Sequence, residues 1–179
     1  MIYLVRHGQT EWNALHKVQG STDNVLNEEG IKQARQVTEK MKNITIDLII
    51  SSPMKRAIQT AEIIRRNRDI PIQIDNRLRE REFGTFEGKD VRKFDFTHAF
   101  DWDKDLSFGG SETTKQFYKR VYEALENIKE KAKDKNILIS GHSGISIVAS
   151  CYFNGIPVDG DYFKLRLGNC EIAKFQVKG

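Results

Sequence analysis

Residues 137–144 read ILISGHSG, an apolar run that ends in Gly-His-Ser-Gly. Such a run is typical of a strand buried on both faces, and the glycines after it indicate a tight turn into a helix. Residues 2–8 read IYLVRHG and repeat the arrangement, with a second histidine directly after the apolar run. The two stretches therefore predict two buried strands, each with a histidine at its carboxyl end.

The rest of the chain alternates between predicted strands and helices. Asn27 precedes an amphipathic pattern that predicts a helix over roughly 28–43, and further strands are predicted at 47–51 and 72–74. Other helices are predicted from Ser52 as cap with Pro53 at the first position, from Ser111, and over 144–152. An antiparallel hairpin is predicted from 162–167 and 170–177 around Gly168-Asn169. This order predicts an α/β three-layer sandwich with a mostly parallel central sheet.

Residues 84–110 interrupt the alternation. They lack a regular hydrophobic period and accumulate aromatic side chains: Phe86, Phe94, Phe96, Phe100, Trp102 and Phe108. We interpret them as a small, partly helical cap insertion within a single domain that spans 1–179. Two roles stay open for the aromatic rings, which either pack beneath the insertion or line the mouth of a binding site.

The composition is typical of a globular protein and excludes the disordered and fibrous classes. Of 179 residues, 39% are hydrophobic and 30% are charged. The formal net charge of +4 suits anionic ligands. Acidic residues are interspersed among the basic ones, which argues against a nucleic-acid partner.

Three features predict a cytoplasmic protein. Only the short apolar run at residues 2–5 lies between Met1 and Arg6, too few residues for the core of a secretory signal. Residues 137–158 carry no formal charge, but serines, glycines and Pro157 interrupt them too often for a membrane span. The chain has only two cysteines, Cys151 and Cys170, which is typical of a reducing compartment.

His7 and His142 are the first candidates for chemistry. Ligands of open α/β sheets bind beyond the carboxyl ends of the strands, where both histidines are predicted to lie. An isolated histidine is more often structural, but two at equivalent positions beside glycines favour a shared site. Arg6 directly precedes His7. Arg56 lies in the first turn of a predicted helix, and its alternative interpretation is an ordinary surface arginine with no role in the site. Two guanidiniums and two imidazoles suit phosphate binding without a metal.

Glu80 is the candidate acid. It stands among cations in the stretch Arg77–Gly84, just after a predicted strand. The residue pattern alone fits a solvated loop of alternating charge as well as a proton donor for an alkoxide leaving group. Both interpretations stay open at the level of the residues.

Taken together, these blocks resemble the histidine phosphatase superfamily, also called phosphoglycerate mutase-like. Residues 6–13, RHGQTEWN, resemble its amino-terminal signature, and 51–61 the block of its second arginine. Residues 78–88 resemble its acid block and 140–144 the block of its second histidine. The resemblance covers nearly the whole chain with every block in order. One departure is GGSET at 109–113, where the family often has Gly-Glu-Ser, so the role of that segment stays open.

The resemblance implies a phosphoglycerate mutase-like fold and a covalent mechanism without metal or cofactor. His7 would attack phosphorus, with a backbone carbonyl fixing its tautomer, and Glu80 would protonate the leaving oxygen. The equatorial oxygens would be held by Arg6, Arg56 and His142. Substrate-binding positions are implied for Asn13, Gln19, Gly20 and Ser143. His16 and His98 match no block.

The expected function is a phosphomonoesterase that acts on a small phosphorylated metabolite. A phosphomutase and a catalytically inactive binding protein of the same fold are the alternatives; the short insertion favours hydrolysis, and the presence of every catalytic-type residue argues against inactivity. A serine hydrolase is disfavoured because Ile145 stands where its nucleophile turn needs glycine and no histidine follows His142. The histidines lack zinc-ligand spacing. Neither the physiological substrate nor the oligomeric state follows from the sequence.

Overall fold

A computed structural model describes residues 1–177 and confirms the predicted α/β fold with a mostly parallel sheet. The strands are β1 (Ile2–Arg6), β2 (Leu48–Ser51), β3 (Ile72–Ile74), β4 (Ile137–Gly141) and β5 (Ile172–Phe175). Their order in the sheet is β3-β2-β4-β1-β5, and only β5 runs antiparallel to its neighbour. Lys178 and Gly179, the last residues of the predicted domain, lie outside the described residues.

The register of the central strands determines where the two histidines lie. β1 pairs with β4 in parallel, and Arg6 stands opposite Gly141. The next residue of each strand is a histidine, and the His7 N–H donates to the Gly141 carbonyl at 3.0 Å. His7 and His142 therefore leave neighbouring strands at the same level, at the carboxyl edge of the sheet.

Helices cover both faces of this sheet. They are α1 (Glu11–Ala14), α2 (Glu28–Lys40), α3 (Lys55–Arg65), α4 (Thr114–Lys131) and α5 (Ser143–Asn154). Val37 of α2 and Ala61 of α3 share one core with Val5 of β1, whereas Phe117 of α4 and Val148 of α5 pack in the other core. Successive strand residues point to opposite faces, so the apolar strands contribute to both cores.

Two helices begin later than the sequence predicts. α3 starts at Lys55 and not at Pro53, because the Ser52 hydroxyl contacts His142, and Asp23 accepts a hydrogen bond from the Lys55 N–H at 2.7 Å. α4 starts at Thr114 and not after Ser111. Thr113 and Gln116 form a reciprocal capping box there, which is a stronger start than a lone serine.

The predicted hairpin at the end of the chain is wrong. Residues Tyr162–Leu165 form a 3-10 turn, and β5 pairs antiparallel with β1. β1 is the last parallel strand, so its outer edge offers the unpaired backbone groups that β5 satisfies. Residues 84–110 are helical only in two 3-10 turns, Gly84–Phe86 and Val91–Lys93.

Within residues 1–177, no helix has both the length and the apolar character that crossing a membrane requires.

Candidate active site

One cavity lies beyond the carboxyl ends of β1 and β4 and brings the predicted site residues together. All of them except His142 line it: Arg6, His7, Asn13, Gln19, Gly20, Arg56, Glu80 and Ser143. His142 is fully buried beside the cavity, and its ring centroid is 5.2 Å from that of His7. Residues separated by up to 137 positions along the chain therefore form one site.

His7 is held as a neutral ring with one nitrogen available for attack. Its Nδ1 lies 2.7 Å from the carbonyl oxygen of Gly8, which accepts only, so Nδ1 carries the proton and Nε2 keeps its lone pair. Burial, reinforced by the positive charges of Arg56 and Arg6, lowers the pKa of His7 well below its ordinary value. A neutral imidazole is the nucleophilic form.

His142 is the cap residue of α5 and is held by Ser52. Its Nε2 is 2.7 Å from the Ser52 hydroxyl, which itself accepts from the Met54 N–H. Among the described residues Nε2 is the only acceptor for the hydroxyl proton, so the hydroxyl donates to Nε2 and the ring proton is assigned to Nδ1. Burial, followed by the charge of Arg56, lowers the pKa of His142 well below its ordinary value. His142 is thus a neutral hydrogen-bond donor beside His7.

The two arginines are anchored by backbone carbonyls. Arg6 donates to the Leu167 carbonyl at 2.9 Å, and burial lowers its pKa to about 10. Arg56 is fully buried and donates to the carbonyls of Thr22 and Gly20 at 2.7 and 2.8 Å. These bonds neutralise no charge, so both guanidiniums keep their attraction for an anion.

Several buried nitrogens in this region have no hydrogen-bond partner among the described residues. Three of them are Arg6 Nε, Arg56 Nε and His142 Nδ1; the others belong to Arg79 and Arg81. Buried N–H groups in proteins are normally satisfied, because an unpaired one costs about 1–3 kcal/mol. The oxygens of a phosphoryl group are acceptors of the type that these N–H groups need.

The side chain of Glu80 lies against the first turn of α5. Its Oε1 accepts from the Arg81 N–H at 2.8 Å, and its Oε2 accepts from the Gly144 N–H at 3.0 Å. A Cβ atom at position 144 would lie 2.3 Å from Oε1 of Glu80, so this approach requires glycine. These bonds fix the carboxyl group at the cavity wall.

The neutral polar residues of the cavity present donors. The Asn13 side-chain oxygen accepts from the Thr10 N–H and from Asn169, and the Gln19 oxygen accepts from Thr10 and Asn24. Their amide NH₂ groups are left for a ligand. A ligand rich in acceptor oxygens fits this arrangement.

Arg120 and Glu112 support the acid loop, a role that sequence reasoning missed. Arg120 donates to the carbonyls of Arg77, Arg79 and Glu80 at 2.7, 2.8 and 3.1 Å, and pairs with Glu112 at 2.6 Å. The basic run on α4 suggests a solvated face. However, position 120 follows Phe117 by three residues and shares its buried stripe, which was the available signal.

A second support connects the cap insertion to Arg56. The Glu87 carboxylate accepts from the N–H groups of Ser21 and Thr22, both at 2.9 Å, and from that of Phe83 at 3.1 Å. The same loop supplies the carbonyls that hold Arg56. Glu87 therefore fixes the loop through which the second arginine is oriented.

The aromatic residues of the insertion divide between the two roles left open by the sequence. Phe96 and Phe100 line the cavity, whereas Phe94, Trp102 and Phe108 do not. Phe108 packs against Phe86 and Phe96, with ring centroids 5.8 and 5.3 Å apart. Some rings thus form the cavity wall and others support it.

The buried histidines make stability depend on pH. Above pH ~6.5 both histidines are neutral whether the chain is folded or unfolded; below it, only the unfolded chain takes up protons, because the folded pKa values are lowered. We expect the free energy of unfolding to fall on acidification from pH 6.5, with each histidine contributing about 1.4 kcal/mol per pH unit. Urea unfolding between pH 7.5 and 5.5 measures this, and His142→Asn should flatten the slope. An unchanged slope would contradict the assignment.

Within residues 1–177, no group of three or more His, Cys, Asp or Glu side chains is arranged to hold a metal ion.

Comparisons with known proteins agree with this geometry. The probable phosphoglycerate mutase GpmB of Salmonella choleraesuis is 33% identical over 187 residues, covering 99% of this chain and 85% of that protein. YhfR of Bacillus stearothermophilus is 32% identical, with a TM-score of 0.79 over 88% of this chain and 81% of that one. A phosphoserine phosphatase of Entamoeba histolytica, solved with 3-phosphoglyceric acid, is 28% identical, with a TM-score of 0.78 over 96% and 87%.

The family model described as histidine phosphatase superfamily (branch 1) matches residues 2–179, essentially the whole chain. With the ordered sequence blocks and the cavity built on His7, this match shows that the chain belongs to the histidine phosphatase superfamily.

Proposed function

We propose that the protein is a metal-independent phosphomonoesterase that acts on a small phosphorylated metabolite through a phosphohistidine on His7. The observation that carries the proposal is the neutral His7 ring with a free Nε2, which shares one cavity with Arg6 and Arg56 and has His142 buried beside it. These groups are what an in-line attack on phosphorus requires. Release of inorganic phosphate from a panel of phosphomonoesters by the purified protein tests the proposal directly.

In the first step, His7 Nε2 forms a bond to phosphorus while the ester P–O bond breaks. The two arginines and His142 donate to the equatorial oxygens, where negative charge develops. Glu80 gives its proton to the departing oxygen, so the alcohol leaves neutral.

In the second step, water attacks the phosphorus of the phosphohistidine and the P–N bond breaks. Glu80, now ionised, accepts a proton from the water and returns to its starting form. Inorganic phosphate leaves, and His7 again has its lone pair on Nε2. Every proton is accounted for by Glu80 and water.

Activity is expected to persist in excess chelator. Two guanidiniums and an imidazole N–H supply the charge stabilisation that a metal ion provides in other phosphatases. Phosphate release measured after dialysis against EDTA should match the untreated rate. Loss of turnover in EDTA, with recovery on adding Zn²⁺ or Mg²⁺, would refute the mechanism.

A phosphomutase is the second candidate, favoured by the name of the curated relatives at 33% identity. A mutase must return the phosphoryl group from His7 to a substrate hydroxyl before water reaches it. Incubation with 3-phosphoglycerate distinguishes the two functions. Interconversion of phosphoglycerate isomers without inorganic phosphate would establish a mutase, and phosphate release without isomerisation would establish a hydrolase.

A further inference from the structure

The cavity has lining residues that a phosphoryl group alone does not use. Several are apolar and come from four separate segments of the chain: Val18, Phe83, Val91, Phe96, Phe100 and Phe163. Such walls suit an apolar organic group. Two further cations, Lys17 and Arg166, also line the cavity.

Neither of these cations has an ion pair or a side-chain hydrogen bond within the part of the chain that the structure describes. Lys17 lies over the Trp12 ring at 5.7 Å, and Arg166 lies over the Phe163 ring at 5.9 Å. The backbone bridge between Lys17 and Asp90 brings an acid near, but the Asp90 carboxylate is paired with Arg92 at 2.7 Å. Both cations keep their full charge for a ligand.

The charges of the cavity do not balance with a phosphoryl group alone. Four cationic side chains line it, Arg6, Lys17, Arg56 and Arg166, and Glu80 is the single acidic residue among the lining residues. A phosphate monoester carries at most two negative charges. Arg166 is near enough to Arg6 for its charge to contribute to the lowered pKa of Arg6. A second anionic group on the substrate would offset the remaining positive charge.

The hydrogen-bonding groups disfavour sugar phosphates. The side-chain oxygens of Asn13 and Gln19 are already occupied, so among the lining side chains only Glu80 and Ser143 retain acceptor capacity. Sugar hydroxyls need acceptors for their protons as well as donors, and a buried unpaired hydroxyl weakens binding. A carboxylate only accepts hydrogen bonds, so it fits a cavity whose free polar groups are mostly donors.

We infer that Lys17 and Arg166 form a carboxylate subsite, and that the substrate is a phosphomonoester of a compact apolar group that carries one carboxylate. The inference rests on the proposed phosphomonoesterase function and defines its substrate class. The guanidinium of Arg166 offers the paired N–H groups that a carboxylate accepts, and Lys17 adds a point charge.

Three aryl phosphates test the subsite: phenyl phosphate, 4-(carboxymethyl)phenyl phosphate and its neutral 4-(carbamoylmethyl) analogue. The methylene insulates the ring, so the leaving groups are matched and the last two differ mainly in charge. We expect kcat/KM for the carboxylate to exceed that for the amide by about tenfold or more, as one charge-assisted contact provides. Raising the salt concentration should shrink this ratio.

Substitutions of Lys17 and Arg166 test whether these two cations cause the preference for the carboxylate ester. In the Lys17→Gln/Arg166→Gln protein, and partly in each single variant, the carboxylate-to-amide ratio should fall toward one. Lys164→Gln is the matched control, because Lys164 is close in sequence, pairs with Asp159 and does not line the cavity. Its ratio should equal that of the parent.

The possible outcomes distinguish failure of the proposed carboxylate subsite from failure of the proposed phosphomonoesterase function. Hydrolysis of all three esters with equal efficiency by the parent protein would overturn the subsite and leave the phosphomonoesterase function intact. A ratio that survives in the double variant would also overturn the subsite. If none of the esters releases phosphate, the proposed function fails and the subsite fails with it.

Discussion

His7→Ala is expected to lower kcat/KM on every phosphomonoester by at least about 10⁴-fold, the order of loss seen when a covalent nucleophile is removed from other hydrolases. The alanine removes the proposed nucleophile, while Arg6, Arg56 and His142 remain to bind substrate. A ³²P-labelled substrate, quenched within the first turnover, should label the parent protein with an acid-labile, alkali-stable bond and leave the variant unlabelled.

The matched control is His98→Ala, which removes an exposed histidine that pairs with Asp101 and does not line the cavity. It should retain both labelling and turnover. Label that persists in the His7→Ala protein would remove His7 from the nucleophile's role. Absence of label from the parent with all substrates that it hydrolyses would argue against a covalent intermediate.

Glu80→Gln is expected to cost about 10²–10⁴ in kcat on alkyl phosphates and much less on aryl phosphates. Glutamine keeps the size of the side chain, and its oxygen can still accept from the Gly144 N–H, but it has no acidic proton to give. An alkoxide needs that proton to leave, whereas a phenolate leaves without it. Comparing kcat for an alkyl and an aryl phosphate in the same preparation measures the difference.

The neighbouring Glu82→Gln serves as the control for this experiment. Glu82 belongs to the same loop, lies 3.6 Å from Arg79 and does not line the cavity. It should affect alkyl and aryl substrates alike and only slightly. Equal losses on both substrate types in Glu80→Gln would indicate a structural role for Glu80.

The sequence patterns predicted the helices and strands whose stabilising contacts come from residues within or next to the element itself. The buried strands are short apolar runs bounded by polar residues, and α2 carries its own cap in Asn27, whose side chain accepts from the Gly30 N–H at 2.9 Å. The start of α3 escaped prediction because the carboxylate that accepts from its first N–H group, that of Asp23, comes from 32 residues away. β5 lies within the strand predicted at 170–177, but its pairing escaped prediction for the same reason, since its partner is the first strand of the chain.

The same distinction applies to the candidate site. Each of the blocks around His7, Arg56, Glu80 and His142 is a continuous stretch of sequence, so each could be identified from the sequence. The fold then brings these blocks together. Residues whose side chains contact segments distant in sequence could not be identified from the sequence pattern. Arg120 reads as one of many basic residues on a helix, and only the structure shows its guanidinium against the carbonyls of the acid loop.

The chain of contacts from Glu87 through the loop at 20–22 to Arg56 has a consequence for how the enzyme acquires and loses activity. Each link joins segments that are far apart in sequence, so its formation requires closure of a long loop and comes late in folding. The links are also few, and the bonds from Glu87 to the loop lie at least partly at the surface, so this end of the contact chain opens at a lower free-energy cost than the sheet. We therefore expect a partly unfolded chain to retain its strands and helices while Arg56 loses its anchors. Heat inactivation is then expected to precede global melting, with the working lifetime of the enzyme limited by this loop rather than by the core.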